Sequence, residues 1–287
     1  MRVHLVDATY ELFRSYFGAP PKTAPDGREV GAVRGLMSTL LYLLREEGAT
    51  HVGCATDHVI RSFRNELWPY YKTEEGIAPD LWAQFPIAED AMRALGFVVW
   101  PMVEFEADDA LAAATAKFAP ACEQVVICTV DKDLAQCVDD NHVILSDRRR
   151  KQTMDQAGVV TKFGVEPKQI PDFLALVGDT SDGYPGLPGF GAKGAAAVLR
   201  AFGSLENIPF DATTWPKELR GAARLAVTFT EQRDSALLFK KLATLRTDAP
   251  IPESLEDLRW RGPRPELEAF CKELGSTDIL SRVPPTR

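Results

Sequence analysis

The 287-residue chain has no stretch of about 18 consecutive apolar residues, so nothing in it reads as a membrane-spanning helix. It has no C-x-x-C pair. Its five cysteines (Cys54, Cys122, Cys128, Cys137 and Cys271) are odd in number and scattered, which argues against a disulfide framework and for a reducing, cytoplasmic setting. Histidine is scarce, and the one grouping that suggests zinc, His51, Cys54 and His58, straddles a segment patterned as a buried strand and lacks a fourth ligand. Internal repeats and low-complexity tracts are absent. Met1 runs directly into RVHLVDATY, the pattern of a first strand rather than of a secretory leader. An excess of positive charge is also missing: 33 basic against 41 acidic residues give a net charge of −8. At face value that argues against a nucleic-acid partner, although net charge does not say where the charges sit.

What is present is ordinary globular composition, 45% apolar and 26% charged, in a chain long enough for one elaborate domain or two smaller ones. RVHLV (2–6), HVGCAT (51–56), FVVW (97–100), QVVICTV (124–130) and HVILS (142–146) are patterned as strands, mostly buried on both faces. Between them, 30–47, 90–95 and 107–118 are patterned as helices, so residues 1–165 are expected to form an α/β core around a mostly parallel sheet. After about residue 165 the strand signal stops, and 166–287 is expected to be a helical region punctuated by Gly and Pro. The segment 62–85, SFRNELWPYYKTEEGIAPDLWAQF, reads as a long excursion of aromatics and charges between a strand and a helix.

Acidic residues gather where the strands end. The first strand ends in Asp7 and the second in Asp57; the third is followed by Glu106, Asp108 and Asp109 within VEFEADDALAAATA; the fourth leads into Asp131 and Asp133. Asp179 and Asp182 follow in VGDTSDGYP. Taken singly, these residues suit turns, helix caps and the first turns of helices. Taken together, they would meet at the carboxyl edge of the sheet, where open α/β folds bind ligands. Carboxylates without interleaved His or Cys are hard oxygen donors suited to Mg²⁺ or Mn²⁺. There are too many for one magnesium, so two metals are expected, the arrangement that serves in-line displacement at phosphorus.

A second signal is GLPGFGAKGAAAVLRAFG, in which Gly186, Gly189 and Gly191 allow a tight turn before a helix with free backbone N–H groups, and Lys193 adds charge. Such a turn can grip phosphates without reading sequence. Basic residues at Arg14, at Arg61, Arg64 and Lys72 beside Trp68, Tyr70 and Tyr71, and at 148–151 suit unstacked nucleotides. Without the nine candidate site acids, 32 acidic residues remain against 33 basic ones, so net acidity does not exclude DNA.

LVDATYELFRSYF, DHVIRSFRNELWPYYK, EFEADDALA, TVDKDLAQ, VGDTSDGYPGLPGFGAKGAAAVL and FKKLATLRTDAPI together resemble the 5′-nuclease family: the flap endonucleases and the 5′–3′ exonuclease domain of bacterial DNA polymerase I. The resemblance covers nearly the whole chain. It implies a PIN-like, mostly parallel sheet with flanking helices, a helical arch at about 62–90, and a helix–three-turn–helix motif with its hairpin at 183–203, often with bound K⁺. It implies that Asp7, Asp57, Glu106, Asp108 and Asp109 build a first metal site and Asp131, Asp133, Asp179 and Asp182 a second, with two Mg²⁺ or Mn²⁺. It further implies that Arg14 and Lys72 steady the scissile phosphate, Tyr71 stacks on a base, and Gly186, Gly189, Gly191, Lys193, Arg61 and Arg64 hold DNA. The expected product carries a 5′-phosphate, and the expected setting is replication and repair in a bacterial cytoplasm. A stand-alone, monomeric nuclease is expected, since no polymerase follows. Two positions depart from the pattern: Glu74 and Glu75 stand where the arch usually carries a basic residue, and Gly183 where an Asn commonly follows the GD-x-SD segment. A non-catalytic DNA-binding protein would require lost carboxylates, and none of the nine is missing. An aspartyl-phosphate phosphatase would want an acid two residues after Asp7, where Thr9 stands.

Overall fold

Along Arg2–Asp7 (β1) side chains alternate between two cores, Val3 and Leu5 on one side and Val6 on the other, as a strand buried on both faces requires. The computed structural model of the protein describes residues 1–217 and 219–286. After β1 come α1 (Ala8–Gly18) and α2 (Gly31–Arg45), then β2 (His51–Asp57), which pairs parallel to β1. Next come two single-turn helices, α3 (Arg64–Leu67) and α4 (Pro79–Trp82), then α5 (Gln84–Ala94) and β3 (Val98–Met102), parallel to β2. The chain then crosses back through α6 (Ala107–Phe118) to β4 (Gln124–Cys128), on the other side of β1, and on to β5 (Val143–Asp147). The sheet order is β3-β2-β1-β4-β5-β6. The five strands read from the sequence all form. The sixth, β6 (Gln152–Met154), is a three-residue antiparallel edge strand, too short to show alternation in the sequence.

The order reverses between β1 and β4, and that switch point opens a crevice beyond the carboxyl ends of the two strands. The alanine-rich α6 covers it from one face. Ala107, Ala110, Ala113 and Ala114 are buried, and small side chains let the helix lie close against β1, β2 and β3. The other face is covered by α1, α2 and α5.

Beyond α7 (Gln156–Phe163) come α8 (Ile170–Val177), α9 (Ala192–Phe202), α10 (Ala222–Glu231), α11 (Arg233–Ala243) and α12 (Leu267–Glu273). The helical region is not a separate body. Leu174, Phe239 and Leu242 share one hydrophobic core with Val3, Leu5 and Ile127 of the sheet. Residues from Arg259 onward return to the α/β half. Arg259 bridges His51, Trp260 N donates to Thr50 O (2.8 Å), and Leu267, Cys271 and Ile279 join the core on the opposite face. The excursion at 62–90 is turns and single-turn helices until α5 begins. Among the described residues no helix is long and apolar enough to cross a membrane.

Candidate active site

Each acid is placed by a local reason. Asp7 caps α1: its Oδ1 accepts from Tyr10 N (2.9 Å) and its Oδ2 from Thr129 Oγ1 (2.8 Å), which ties the ends of β1 and β4 together. Asp57 Oδ1 accepts from Ala107 N (2.8 Å), the first amide of α6. Asp131 Oδ1 accepts from Asp133 N (2.9 Å), so the TVDKD turn folds on itself. Asp179 N and Tyr184 N each donate to the other's carbonyl oxygen (2.8 and 3.0 Å), closing the turn that carries Asp182. Gly183 in that turn has φ +81°, and a Cβ there would lie 2.1 Å from Tyr70 O, so the departure from Asn is a close backbone contact that a side chain would block.

The structure brings Asp7, Asp57, Asp108, Asp131, Asp133, Asp179 and Asp182 to this edge. One oxygen from each of Asp133, Asp179 and Asp182 lies within 4.8 Å of the others. Burial, with Asp57 and Asp131 adding repulsion, raises the Asp7 carboxyl to about 7. Burial likewise raises Asp57, pushes Asp108 and Asp133 well above the usual carboxylate range, and lifts Asp182 to about 6; neighbouring acids add to each shift. Asp133 Oδ1 is buried without a hydrogen-bond partner among the described residues. Too many negative charges stand here for the cations the protein itself supplies.

Two lysines answer part of that charge. Lys72 Nζ lies 2.7 Å from Glu106 Oε2 and 3.3 Å from Asp182 Oδ1. Lys132, not singled out in the sequence, lies 2.6 Å from Asp179 Oδ2. Its position inside TVDKD, between two candidate acids, was the available signal.

Several expected roles change. Arg64, expected at the DNA surface, is 1% exposed. Its Nη1 donates to Glu106 Oε1 (2.9 Å) and Asp109 Oδ2 (2.7 Å), its Nη2 to Asp109 Oδ1 (2.8 Å), and its Nε to Leu242 O (2.7 Å). A guanidinium so saturated has nothing left for phosphate; it neutralises the acids behind the crevice. Asp109, expected as a metal ligand, spends both oxygens on Arg64 and on the amides of Glu106 and Arg246. Glu106 accepts from Ser62 Oγ (2.6 Å) and Arg64 on Oε1 and faces Lys72 on Oε2. Burial would raise its pKa, but Lys72 and Arg64 overcome that and hold it at about 2. Tyr71, expected to stack on a base, is 3% exposed with its hydroxyl on Glu106 Oε2 (3.3 Å); Tyr70, one residue earlier, is the exposed ring. Arg14 sits two turns along α1 from Asp7, bonded to Glu11 and Thr39, away from the carboxylate edge. Arg148, in the basic run at 148–151, turns inward to Glu47 (2.8 Å). Arg61 is exposed and loosely paired with Glu74 (3.3 Å). Glu104, which no motif includes, is a surface acid.

The glycine hairpin lies apart from the acids. Gly191 caps α9 without a side-chain hydrogen bond, and Lys193 is exposed in the helix's first turn. Gly189, Gly191 and Lys193 line a cleft of about 800 Å³ together with Arg200 and Arg220, two cations the sequence reading missed. Arg200 falls about two turns after Lys193, on the same polar face of the helix. Gly186 is buried at the base of the hairpin rather than on its rim, its Cα packed against the backbone of Gly178.

A crevice of carboxylates at a sheet switch point, with a helix-opening glycine hairpin in the helical region that follows, is the layout of a resolvase-like nuclease half joined to a helical half. Residues 2–164 match the 5′–3′ exonuclease N-terminal, resolvase-like domain, and residues 165–266 the 5′–3′ exonuclease C-terminal SAM fold. The chain is 32% identical over 280 residues to a 5′–3′ exonuclease of Aquifex aeolicus, covering 97% of this chain and 93% of that one. It is 36% identical over 274 residues to DNA polymerase I of Pseudomonas aeruginosa, covering 94% of this chain and 30% of the polymerase. With DNA polymerase I of Bacillus caldotenax the identity is 34% over 97% of this chain and 32% of the polymerase, so the chain spans about a third of the length of those relatives. The T5 5′-exonuclease with divalent zinc ions bound shares the fold, with a TM-score of 0.71 at 19% identity over 98% of this chain and 99% of that one. The chain belongs to the 5′–3′ exonuclease family.

Proposed function

We propose that this protein is a divalent-metal-dependent nuclease that hydrolyses DNA phosphodiesters at 5′ flaps, junctions or 5′ ends and leaves 5′-phosphate products. The observation that carries the reading is the crevice itself: carboxylates that burial and their acidic neighbours drive toward protonation, with Lys72 and Lys132 answering only part of the charge. The donor set fits hard divalent cations, being all oxygen, with Asp133 Oδ1 buried and unpaired. Asp7, Asp57, Asp108 and Asp131 would hold one Mg²⁺ or Mn²⁺, and Asp131, Asp133, Asp179 and Asp182 a second. Bound there, the pair supplies Lewis-acid polarisation of the phosphate and a lowered pKa for the attacking water.

The rest falls to side chains. Lys72, partly buried beside Glu106 and Asp182, donates to a non-bridging phosphate oxygen and stabilises the charge that builds on it. Glu106 stays ionised and orients Lys72 and Tyr71. The amides at the start of α9, with Lys193, Arg200 and Arg220, hold phosphates of the duplex without reading bases. Arg61 and Tyr70 offer an exposed cation and ring along the excursion for the single strand. K⁺ at the hairpin belongs to the same reading, and omitting it should weaken duplex binding. A monomeric protein acting in primer or flap removal in the cytoplasm completes the proposal. The test is a 5′-labelled flap substrate. Mg²⁺ should support cleavage, EDTA should stop it, and Asp131→Asn should cut turnover by at least about a hundredfold while leaving DNA affinity nearly unchanged. Cleavage indifferent to EDTA would refute the proposal.

A further inference from the structure

Trp68 caps the single-turn α3 four residues before Lys72, and the edge of its ring is turned into the protein. The indole Nε1 donates to the Gly183 carbonyl oxygen (3.0 Å). The ring meets Phe239 of α11 edge-on at 5.4 Å between centroids, and Phe239 in turn stacks on Tyr184 at 5.6 Å. Gly183 and Tyr184 close the turn that carries Asp179 and Asp182, so Trp68 reaches this turn twice, once directly and once through Phe239. The neighbouring backbone follows the same line. Lys72 N donates to Asp182 O (3.1 Å), and a Cβ on Gly183 would lie 2.1 Å from Tyr70 O. Residues 68–72 and 182–184 are therefore packed side by side. Asn65 Nδ2 donates to the Lys72 carbonyl oxygen (3.1 Å) and braces the first of these segments.

The turn needs such an anchor. With an oxygen of each within 4.8 Å of the others, Asp133, Asp179 and Asp182 repel one another, and the repulsion pushes on the turn. A cation set against the turn would hold it but would also neutralise the carboxylates, as Arg64 does for Glu106 and Asp109. An indole N–H is a neutral donor. Bonded to a backbone carbonyl, it fixes the turn and takes no carboxylate oxygen from a metal.

We propose that Trp68 is a positioning residue: it sets the Asp179–Tyr184 turn against the Lys72 segment, and so fixes the spacing between the second metal's carboxylates and the lysine that meets the phosphate. The inference rests on the nuclease reading, and it gives Trp68 a role other than the nucleotide stacking that its sequence neighbours suggest. Groups that orient metal ligands without touching the metal are worth about ten- to a hundredfold in metal affinity.

Trp68→Phe keeps a ring against Phe239 and removes the N–H. The full-length variant is titrated calorimetrically with Mn²⁺ near pH 8, melted in EDTA, and assayed on flap DNA with Mg²⁺. The ion that Asp133→Asn loses should bind about tenfold more weakly, and the other ion should keep its affinity within about twofold. Turnover should follow the metal site rather than DNA binding: kcat falls about tenfold at saturating Mg²⁺, with KM for the flap within about twofold. Gly183→Ala pushes the same turn away from Tyr70 O and should weaken the same ion. Unchanged affinity for both ions in both variants overturns the proposal. So does a parallel loss of both ions that tracks a lowered melting temperature, since that is the mark of a residue that only supports the fold. Either result leaves the nuclease reading standing as long as the unsubstituted protein cleaves the flap. No cleavage by the unsubstituted protein with Mg²⁺ sinks the nuclease reading and this role of Trp68 with it.

Discussion

Glu106 and Asp133 are buried almost equally, at 3% and 5% exposure, at the same sheet edge. Their carboxyls move in opposite directions. Glu106 is held at about 2, and Asp133 is pushed well above the carboxylate range. Burial opposes ionisation in both, so burial does not separate them. Around Glu106 stand Arg64, Lys72, Ser62 and Tyr71, a complete set of donors. Around Asp133 stand Asp131, Asp179 and Asp182, Lys132 is paired with Asp179, and one oxygen of Asp133 has no partner among the described residues. One end of the crevice is neutralised from within the fold, and the other is left for a ligand of opposite charge. A motif such as EADD therefore contains acids of two kinds, structural and ligand-seeking.

The largest way to break this contrast is at Arg64. Arg64→Met should cost about 3–5 kcal/mol of stability in urea denaturation, because Asp109 and Glu106 would then be buried with an uncompensated charge. A loss under about 1 kcal/mol would mean that the guanidinium is not the neutralising group.

The pH dependence of the metal-free protein should show the second half. Asp7 and Asp182 have folded pKa values of about 7 and 6, above the ordinary 3.8, so between those values the native state binds more protons than the unfolded state. Their contribution is fully present below the ordinary value and is lost as pH rises through about 6 to 7. Glu106 runs the other way: its contribution is present above 4.5 and lost as pH falls toward about 2. In EDTA, stability should therefore rise by several kcal/mol as pH drops from neutrality toward 4, then fall at lower pH. Saturating Mg²⁺ should flatten the rise. A curve in EDTA that is flat from pH 4 to 7 would remove the claim of uncompensated charge.

A smaller effect separates the two kinds of acid by single substitution. Asp133→Asn should stabilise the metal-free protein by about 1 kcal/mol by relieving repulsion from Asp131, Asp179 and Asp182. Asp109→Asn should destabilise it, because one oxygen that Arg64 and the Glu106 amide use becomes an amide nitrogen. Thermal melts of the pair in EDTA should shift in opposite directions.

The sequence made the position of most of the acids legible because Asp7, Asp57, Glu106, Asp108, Asp109, Asp131 and Asp133 end or follow strands whose apolar runs are readable, and parallel strands deliver their carboxyl ends to one edge; Asp179 and Asp182 follow α8 instead. It could not tell Arg64 from Arg61. Both lie in a short polar stretch, and what turns Arg64 inward is far away in the chain: Glu106, Asp109 and the carbonyls of Leu242 and Thr244. The choice between Tyr70 and Tyr71 was equally hidden, since adjacent residues in an irregular segment carry no periodicity to say which faces in. Arg148 lost its surface role in the same way, to Glu47 just after the end of α2. The return of residues 259–279 to the sheet was not readable either, because a strand bridge and one short helix leave no compositional mark.

The central claim is that the uncompensated end of the crevice holds divalent cations and the Arg64 end does not. Calorimetric titration of the metal-free protein with Mn²⁺ near pH 8 tests it directly. The account predicts two saturable ions per chain, with one lost in Asp133→Asn and both kept in an Asp109→Asn variant that remains folded. Undiminished binding in Asp133→Asn, or no saturable binding to the unsubstituted protein, would contradict it.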